Sequence, residues 1–121
     1  MEEIISATKD SFEKIKHIDE NGVEFWYGRE LMKALEYVKW DKFIKVIDNA
    51  MTACEFSNNE LSDHFLQVGK LIKTAKNAKR EIKEYKLSRY ACYLIVQNAD
   101  PKKEAIALGQ TYFAIQTRKQ D

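Results

Sequence analysis

Between Leu87 and Arg118 the chain reads LSRYACYLIVQNADPKKEAIALGQTYFAIQTR, two apolar runs parted by Asp100-Pro101, and no other stretch restricts the fold so tightly. Ser88 is placed to N-cap a helix, since its hydroxyl can accept from a first-turn amide. Ala91, Leu94, Ile95 and Asn98 then share one face, with Tyr90, Tyr93 and Gln97 on another. Asp100 and Pro101 suit the N-cap and first position of a second helix, where no amide donor is needed. Ala105, Leu108, Tyr112 and Ile115 would form its apolar stripe. Gly109 inside that helix costs about 1 kcal/mol relative to Ala, which points to another backbone passing close by.

The preceding two thirds alternate between helix and strand. The spacing predicts a helix over 6–17, with Ile5, Phe12 and Ile15 apolar and His17 at its C-terminal end, where a cation suits the dipole. Asp19-Glu20-Asn21-Gly22 is a turn signal that leads into a strand at Val23–Tyr27. Gly28 ends the strand, Arg29–Leu35 reads as a short helix, and Glu36–Lys39 as a connector. Trp40–Phe56 carries Phe43, Ile44, Ile47, Ala50, Met51 and Cys54 at helical spacing, with Lys42, Lys45 and Asp48 outward. Phe65–Lys73 fits a strand or a short helix, with strand preferred. Thr74–Arg80 is a basic turn, and Glu81–Lys86 would pair back as the second arm of a hairpin. The fold class is therefore α+β: a helix-rich single domain, 1–121, with a small antiparallel sheet and a protruding basic β-hairpin. Phe43, Ile47, Met51, Leu94, Leu108, Tyr112 and Phe113 are its expected core.

Few prolines and glycines and an ordinary apolar share argue against disorder. No run is apolar enough to span a membrane, and the acidic start MEEIISATKD does not read as a signal peptide. Cys54 and Cys92 fit two buried thiols better than a disulfide, and their spacing fits no zinc motif. The net charge of +1 hides an asymmetry, with −6 over residues 1–69 and +7 over residues 70–121.

That asymmetry is concentrated in Lys70, Lys73, Lys76, Lys79, Arg80, Lys83, Lys86 and Arg89, set against Glu81 and Glu84. Cations on a turn are what phosphate contacts need, because they release counterions without demanding a fixed geometry. A solvated face gives the same pattern. Trp26, Tyr27, Tyr37 and Trp40 lie near cations and could stack unpaired bases, or could pack in the core. Asp63-His64 is the one carboxylate–imidazole neighbour pair. A general base is conceivable there, but no nucleophile motif, metal spacing or phosphate loop accompanies it, so a structural histidine and a non-enzymatic chain are expected. Arg89, Tyr90, Tyr93, Gln97, Asn98, Gln110, Tyr112, Gln116 and Arg118 either bond across the paired helices or form a polar strip that grips a partner.

These blocks together resemble a known family. Phe25-Trp26-Tyr27-Gly28-Arg29-Glu30-Leu31, Tyr37-Val38-Lys39-Trp40, Phe43 with Ile47, and Asp63-His64-Phe65 are followed by the more specific LSRYACYL, Gln97-Asn98-Ala99-Asp100-Pro101 and GQTYFAIQTR. The chain is similar to the N-terminal part of the DNA-damage-inducible protein D family, a relative of BRO-N domains. The resemblance implies a bacterial, cytoplasmic protein of the SOS response; the residues themselves suggest no cofactor and no metal. It implies association with DNA transactions and modulation of the RecA filament on single-stranded DNA; the basic stretch adds contact with the phosphate backbone of DNA, single-stranded or duplex. A protein–protein module without nucleic-acid contact is the alternative. Family members are longer, so a C-terminal half is expected to be missing from this sequence. Thr74–Arg80 reads TAKNAKR where the family pattern suggests a glycine-bearing turn.

Overall fold

The computed structural model describes residues 11–75 and 78–120, without the side chains of residues 117–120. The start of the expected first helix, Lys76 and the Arg118 side chain lie outside the described residues. The elements run β1 (His17–Ile18), β2 (Glu24–Tyr27), α1 (Gly28–Ala34), α2 (Trp40–Phe56), α3 (Leu61–His64), β3 (Phe65–Lys73), β4 (Lys79–Leu87), α4 (Arg89–Gln97) and α5 (Glu104–Gln120). Residues 11–14 ahead of β1 are also helical.

The strands form one antiparallel sheet in the order β1-β2-β4-β3. Asp19 organises the β1–β2 turn: its Oδ1 accepts from the amides of Asn21 and Val23. Gly22 takes φ +80 there, a region open to glycine. The turn lies where the sequence places it, but the helix ahead of it ends at residue 14 instead of 17. His17 is therefore not the end of a helix; it sits in β1, paired with Phe25.

Register sorts the sheet residues between two faces. Trp26 pairs with Leu87, and Leu87 with Phe65, so these three share the inner face with Tyr85; all four are buried. Helices α2 and α4 pack together, and the buried side chains of α2 are Phe43, Val46, Ile47, Ala50 and Cys54. Each large side chain so buried contributes about 1.5–3 kcal/mol. Trp26 is fully buried, stacks on Phe12 at 4.4 Å, and donates its indole N–H to the Phe12 carbonyl. Cys54 and Cys92 are free and buried. Met51 and Leu108, expected in the core, are only partly buried.

The terminal helix pair is present with two corrections. Proline does not open α5. The Asp100 side chain accepts from the Lys102 amide and its carbonyl from the Lys103 amide, so 100–103 form a turn and the helix starts at Glu104. The buried stripe is also rotated, to Ile106, Gly109, Tyr112 and Phe113 rather than Ala105, Leu108, Tyr112 and Ile115. Gly109 makes room for a side chain, not a backbone: a Cβ there would meet Val96 Cγ1 at 3.1 Å. The Gln110 amide beside it donates to the Val96 carbonyl, bonding across the helix pair.

Candidate nucleic-acid interface

Strands β3 and β4 pair over nine residues, from Phe65–Leu87 to Lys73–Lys79. Strand β2 joins them only at the base, through Trp26–Leu87 and Tyr27–Lys86. Past the reach of β2 the pair continues as a two-stranded arm, held to the body as far as Lys83 and about 30 Å long over the full nine residues. Its base is anchored by buried Phe65, Tyr85 and Leu87, whereas Lys70, Leu71, Lys73, Lys79, Arg80, Glu81 and Lys83 are exposed. Among the described residues no helix or third strand covers the outer part, where the charged side chains guard the strand edges.

The register divides the cations. Lys70, Arg80 and Lys86 share one face of the arm; Lys73, Lys79 and Lys83 share the other. Among the described residues, none of these six has a carboxylate within ion-pair distance. Of the two glutamates on the arm, only Glu81 is exposed.

Glu84 is 2% exposed. Its Oε1 accepts from the Tyr85 amide at 2.8 Å and from the Arg29 amide at 3.1 Å. The second bond caps α1, which has no side-chain cap of its own. A Cβ at Gly28 would lie 3.2 Å from that same oxygen, so glycine at the strand-to-helix junction lets the carboxylate approach. Arg29 completes the joint: its Nε donates to the Lys83 carbonyl and its guanidinium lies 4.2 Å from the centre of the Trp40 ring. The base of the arm is thus tied to the body by a carboxylate and an arginine.

Arg89, counted with the basic stretch in the sequence, is placed elsewhere. Its Nε and Nη2 donate to the two oxygens of Glu24 at 2.8 and 3.0 Å, and Nη1 donates to Glu13 at 3.0 Å. The guanidinium also lies 5.1 Å from the Trp26 ring and 5.6 Å from the Phe12 ring. Hydrogen bonds from Arg89 pull the Glu24 carboxyl below its usual pKa against a smaller effect of burial. Burial pushes Glu13 up, but the bonds from Arg89 and Lys16 outweigh it and leave the group lowered. Arg89 is raised in turn, chiefly by Glu24. Its charge is neutralised within the fold, and it is not part of the free cation set.

The aromatic candidates separate in the same way. Trp26 is core. Trp40 carries Arg29. The Tyr37 hydroxyl accepts from the Asp100 amide, and its ring lies 4.8 Å from Lys103 Nζ. Tyr27 is different: it stands on the outer face of the sheet with His17 and Phe25, the side opposite Trp26. His17 stacks on Phe25 at 5.4 Å and bonds through Nε2 to Glu30 at 2.6 Å, while Lys86 Nζ sits 4.9 Å from the Phe25 ring centre. Strand alternation in the sequence sets Val23, Phe25 and Tyr27 on one side; His17 joins them only because β1 pairs with β2, which the helical spacing around it hides.

His64 has a partner 24 residues away. Its Nδ1 is 2.7 Å from Ser88 Oγ, and its ring meets Tyr90 edge-on at 4.9 Å. The Ser88 oxygen meanwhile accepts from the Ala91 amide as the N-cap of α4. This serine–histidine contact locks α3 to α4, and its hydroxyl is committed to capping. Among the described residues no three His, Cys, Asp or Glu side chains gather as a metal set, and no helix there is long and apolar enough to cross a membrane.

A family model described as BRO family, N-terminal domain, matches residues 14–114. The chain is 53% identical over 110 residues to the Escherichia coli (strain K12) protein named DNA damage-inducible protein D, covering 91% of this chain and 40% of that protein. The chain therefore spans about two fifths of the length of that relative. No solved structure matches it.

Proposed function

The chain belongs to the BRO family through its N-terminal domain, and from that premise we propose that it is a non-enzymatic DNA-contact module of a DNA-damage response protein. The observation that carries this reading is the projecting β3–β4 arm, whose Lys70, Lys73, Lys79, Arg80, Lys83 and Lys86 find no carboxylate partner among the described residues. A fold that pairs Arg89 with two carboxylates yet leaves six arm cations unpaired keeps that charge for a polyanion. A two-stranded ribbon is one of the shapes that the major groove admits, and cations on both of its faces can reach phosphates on either side. The name of the relative, DNA damage-inducible protein D, supports placement in the damage response. The family resemblance extends the reading to a cytoplasmic role in modulating the RecA filament on single-stranded DNA.

The test is to replace Lys73, Lys79 and Arg80 together by Gln and measure oligonucleotide binding across a salt series. For every phosphate no longer neutralised, the log–log salt slope should flatten by about 0.7 on single strands and about 0.9 on duplex. Unchanged affinity and slope would remove the arm as the contact.

A second reading has its own observation. Ala105, Leu108 and Gly109 of α5 face Leu31 and Leu35 across an apolar groove of about 420 Å³. A protein partner seated there would form a complex that survives nuclease and moderate salt, and dissociation on nuclease treatment would count against it.

A further inference from the structure

At the base of the arm, on the outer face of the sheet, Tyr27, Glu30, Val68, Lys70, Glu84 and Lys86 line a cleft of about 450 Å³. That volume lies within the range of small-ligand sites. The geometry points to a binding site for one unpaired nucleotide, with the base inside against Tyr27 and its phosphates outside against Lys70 and Lys86. The inference rests on the chain being a nucleic-acid contact module, and it adds a strand preference that the arm alone does not supply.

Three observations converge. First, Tyr27 is a half-buried aromatic with unused capacity. His17 and Phe25 meet it edge-to-face, at 68° and 89°, so neither lies parallel over its ring. Its hydroxyl has no hydrogen-bond partner among the described residues. Phe25, in contrast, is already stacked under His17 and faced by Lys86. Second, the cleft brings carboxylates and ammonium groups together, Glu84 and Glu30 with Lys70 and Lys86. Glu84 is buried in the floor, and Glu30 is held by His17 at 2.6 Å. A carboxylate repels phosphate but accepts from the ring and exocyclic N–H groups of a base, so Glu30, the exposed one of the two, favours the base of a nucleotide over its phosphates. Lys70 and Lys86 stand on the same sheet face and continue into the cation row of the arm through Arg80. Third, the cleft adjoins that arm, so a strand tracking the cations would deliver a base to Tyr27. A duplex cannot do this without unpairing, because its bases already stack on each other. Aromatic stacking beside a cationic track is the general mode of single-strand binding.

The experiment compares binding of fluorescent single-stranded and duplex oligonucleotides of equal length to three proteins: the native chain, Tyr27→Leu, and the arm variant Lys79→Gln/Arg80→Gln. The proposal expects Tyr27→Leu to weaken single-strand binding about tenfold, as removal of one stacked base does, and to leave duplex binding unchanged. It expects the arm variant to weaken both. If Tyr27→Leu is silent, or weakens both substrates alike, while the arm variant weakens both, the cleft proposal falls and the DNA-contact reading stands. If the native chain binds neither substrate at low salt, both fall. Should Tyr27→Leu fail to fold, photocrosslinking of the native chain to a single strand carrying iodouracil decides: attachment at Tyr27 supports the site, and attachment confined to other residues overturns it.

Discussion

Replacing Arg89 by Met tests whether the ion-pair cluster of Arg89 with Glu24 and Glu13 holds the fold or serves a ligand. Methionine keeps much of the apolar stem and removes the guanidinium. The substitution then deletes a two-pronged pair with Glu24, a single bond to Glu13, and the approach to the faces of Trp26 and Phe12. The three side chains are 39%, 35% and 27% exposed, so water screens the pairs. The two-pronged contact is worth about 1 kcal/mol and the single one about half of that, for a total of about 1.5–2 kcal/mol at neutral pH once the ring contacts are added. The pH dependence follows from the direction of the shifts. Glu24 is lowered, chiefly by the Arg89 hydrogen bonds; Glu13 is lowered as well, burial notwithstanding. A carboxylate whose folded-state pKa is depressed contributes stability that is present above its unfolded value of 4.5 and lost as pH falls through the folded value. Urea unfolding of native and Arg89→Met chains should therefore differ by that amount at neutral pH, and the difference should shrink progressively below about pH 4.5. Nucleic-acid affinity of the folded variant should match the native chain. An equal destabilisation at every pH would refute the ion-pair account in favour of packing alone, and a fall in DNA affinity without a fall in stability would return Arg89 to the contact surface.

Other perturbations have equally definite outcomes. Glu84→Ala strands the Arg29 and Tyr85 amides and should lower stability by about 2–4 kcal/mol, whereas Glu84→Gln, which retains an acceptor, should lose much less; equal effects in chemical denaturation would contradict the capping role. Trp26→Ala removes a fully buried ring stacked on Phe12 and should cost about 3–5 kcal/mol in the same assay. Gly109→Leu drives a branched side chain into Val96 and should cost about 1–3 kcal/mol; a wild-type melting temperature would show that α4 and α5 are less closely apposed than described.

Local signals in the sequence carry most of the element boundaries. Trp40–Phe56 follows from apolar spacing and from the polar Ser57-Asn58-Asn59 that ends it, and the arm from alternation on either side of a basic turn, although Lys79 and Arg80, read as part of that turn, pair with Lys73 and Ile72 as the start of β4. Boundaries are illegible where a short polar side chain offers the backbone an alternative. The Asp19 turn is legible, but the two-residue strand it sets against β2 takes His17 out of the expected helix, and Asp100 with Pro101 makes a turn instead of opening a helix. The phase of α5 escapes the apolar pattern because Gly109, which carries no hydrophobic signal, is central to its buried face. At the candidate interface, composition identifies the basic arm but not which cations are free. Arg89 looks like the others in sequence, and its partners Glu13 and Glu24 lie 76 and 65 residues away. The role of Glu84 depends on Arg29, 55 residues away. Such long-range pairing is set by topology, which no local pattern specifies.

The central claim is that the unpaired cations of the β3–β4 arm meet a nucleic-acid backbone. A salt titration of native-chain binding to single-stranded and duplex oligonucleotides tests it most directly. Binding at low salt should show a log–log slope of about −2 to −4, as expected for several phosphates neutralised, and single strands should bind more tightly than duplex if Tyr27 receives a base. A slope near zero, or no binding at low salt, would contradict the claim and leave the apolar groove beside α5 as the surface that acts.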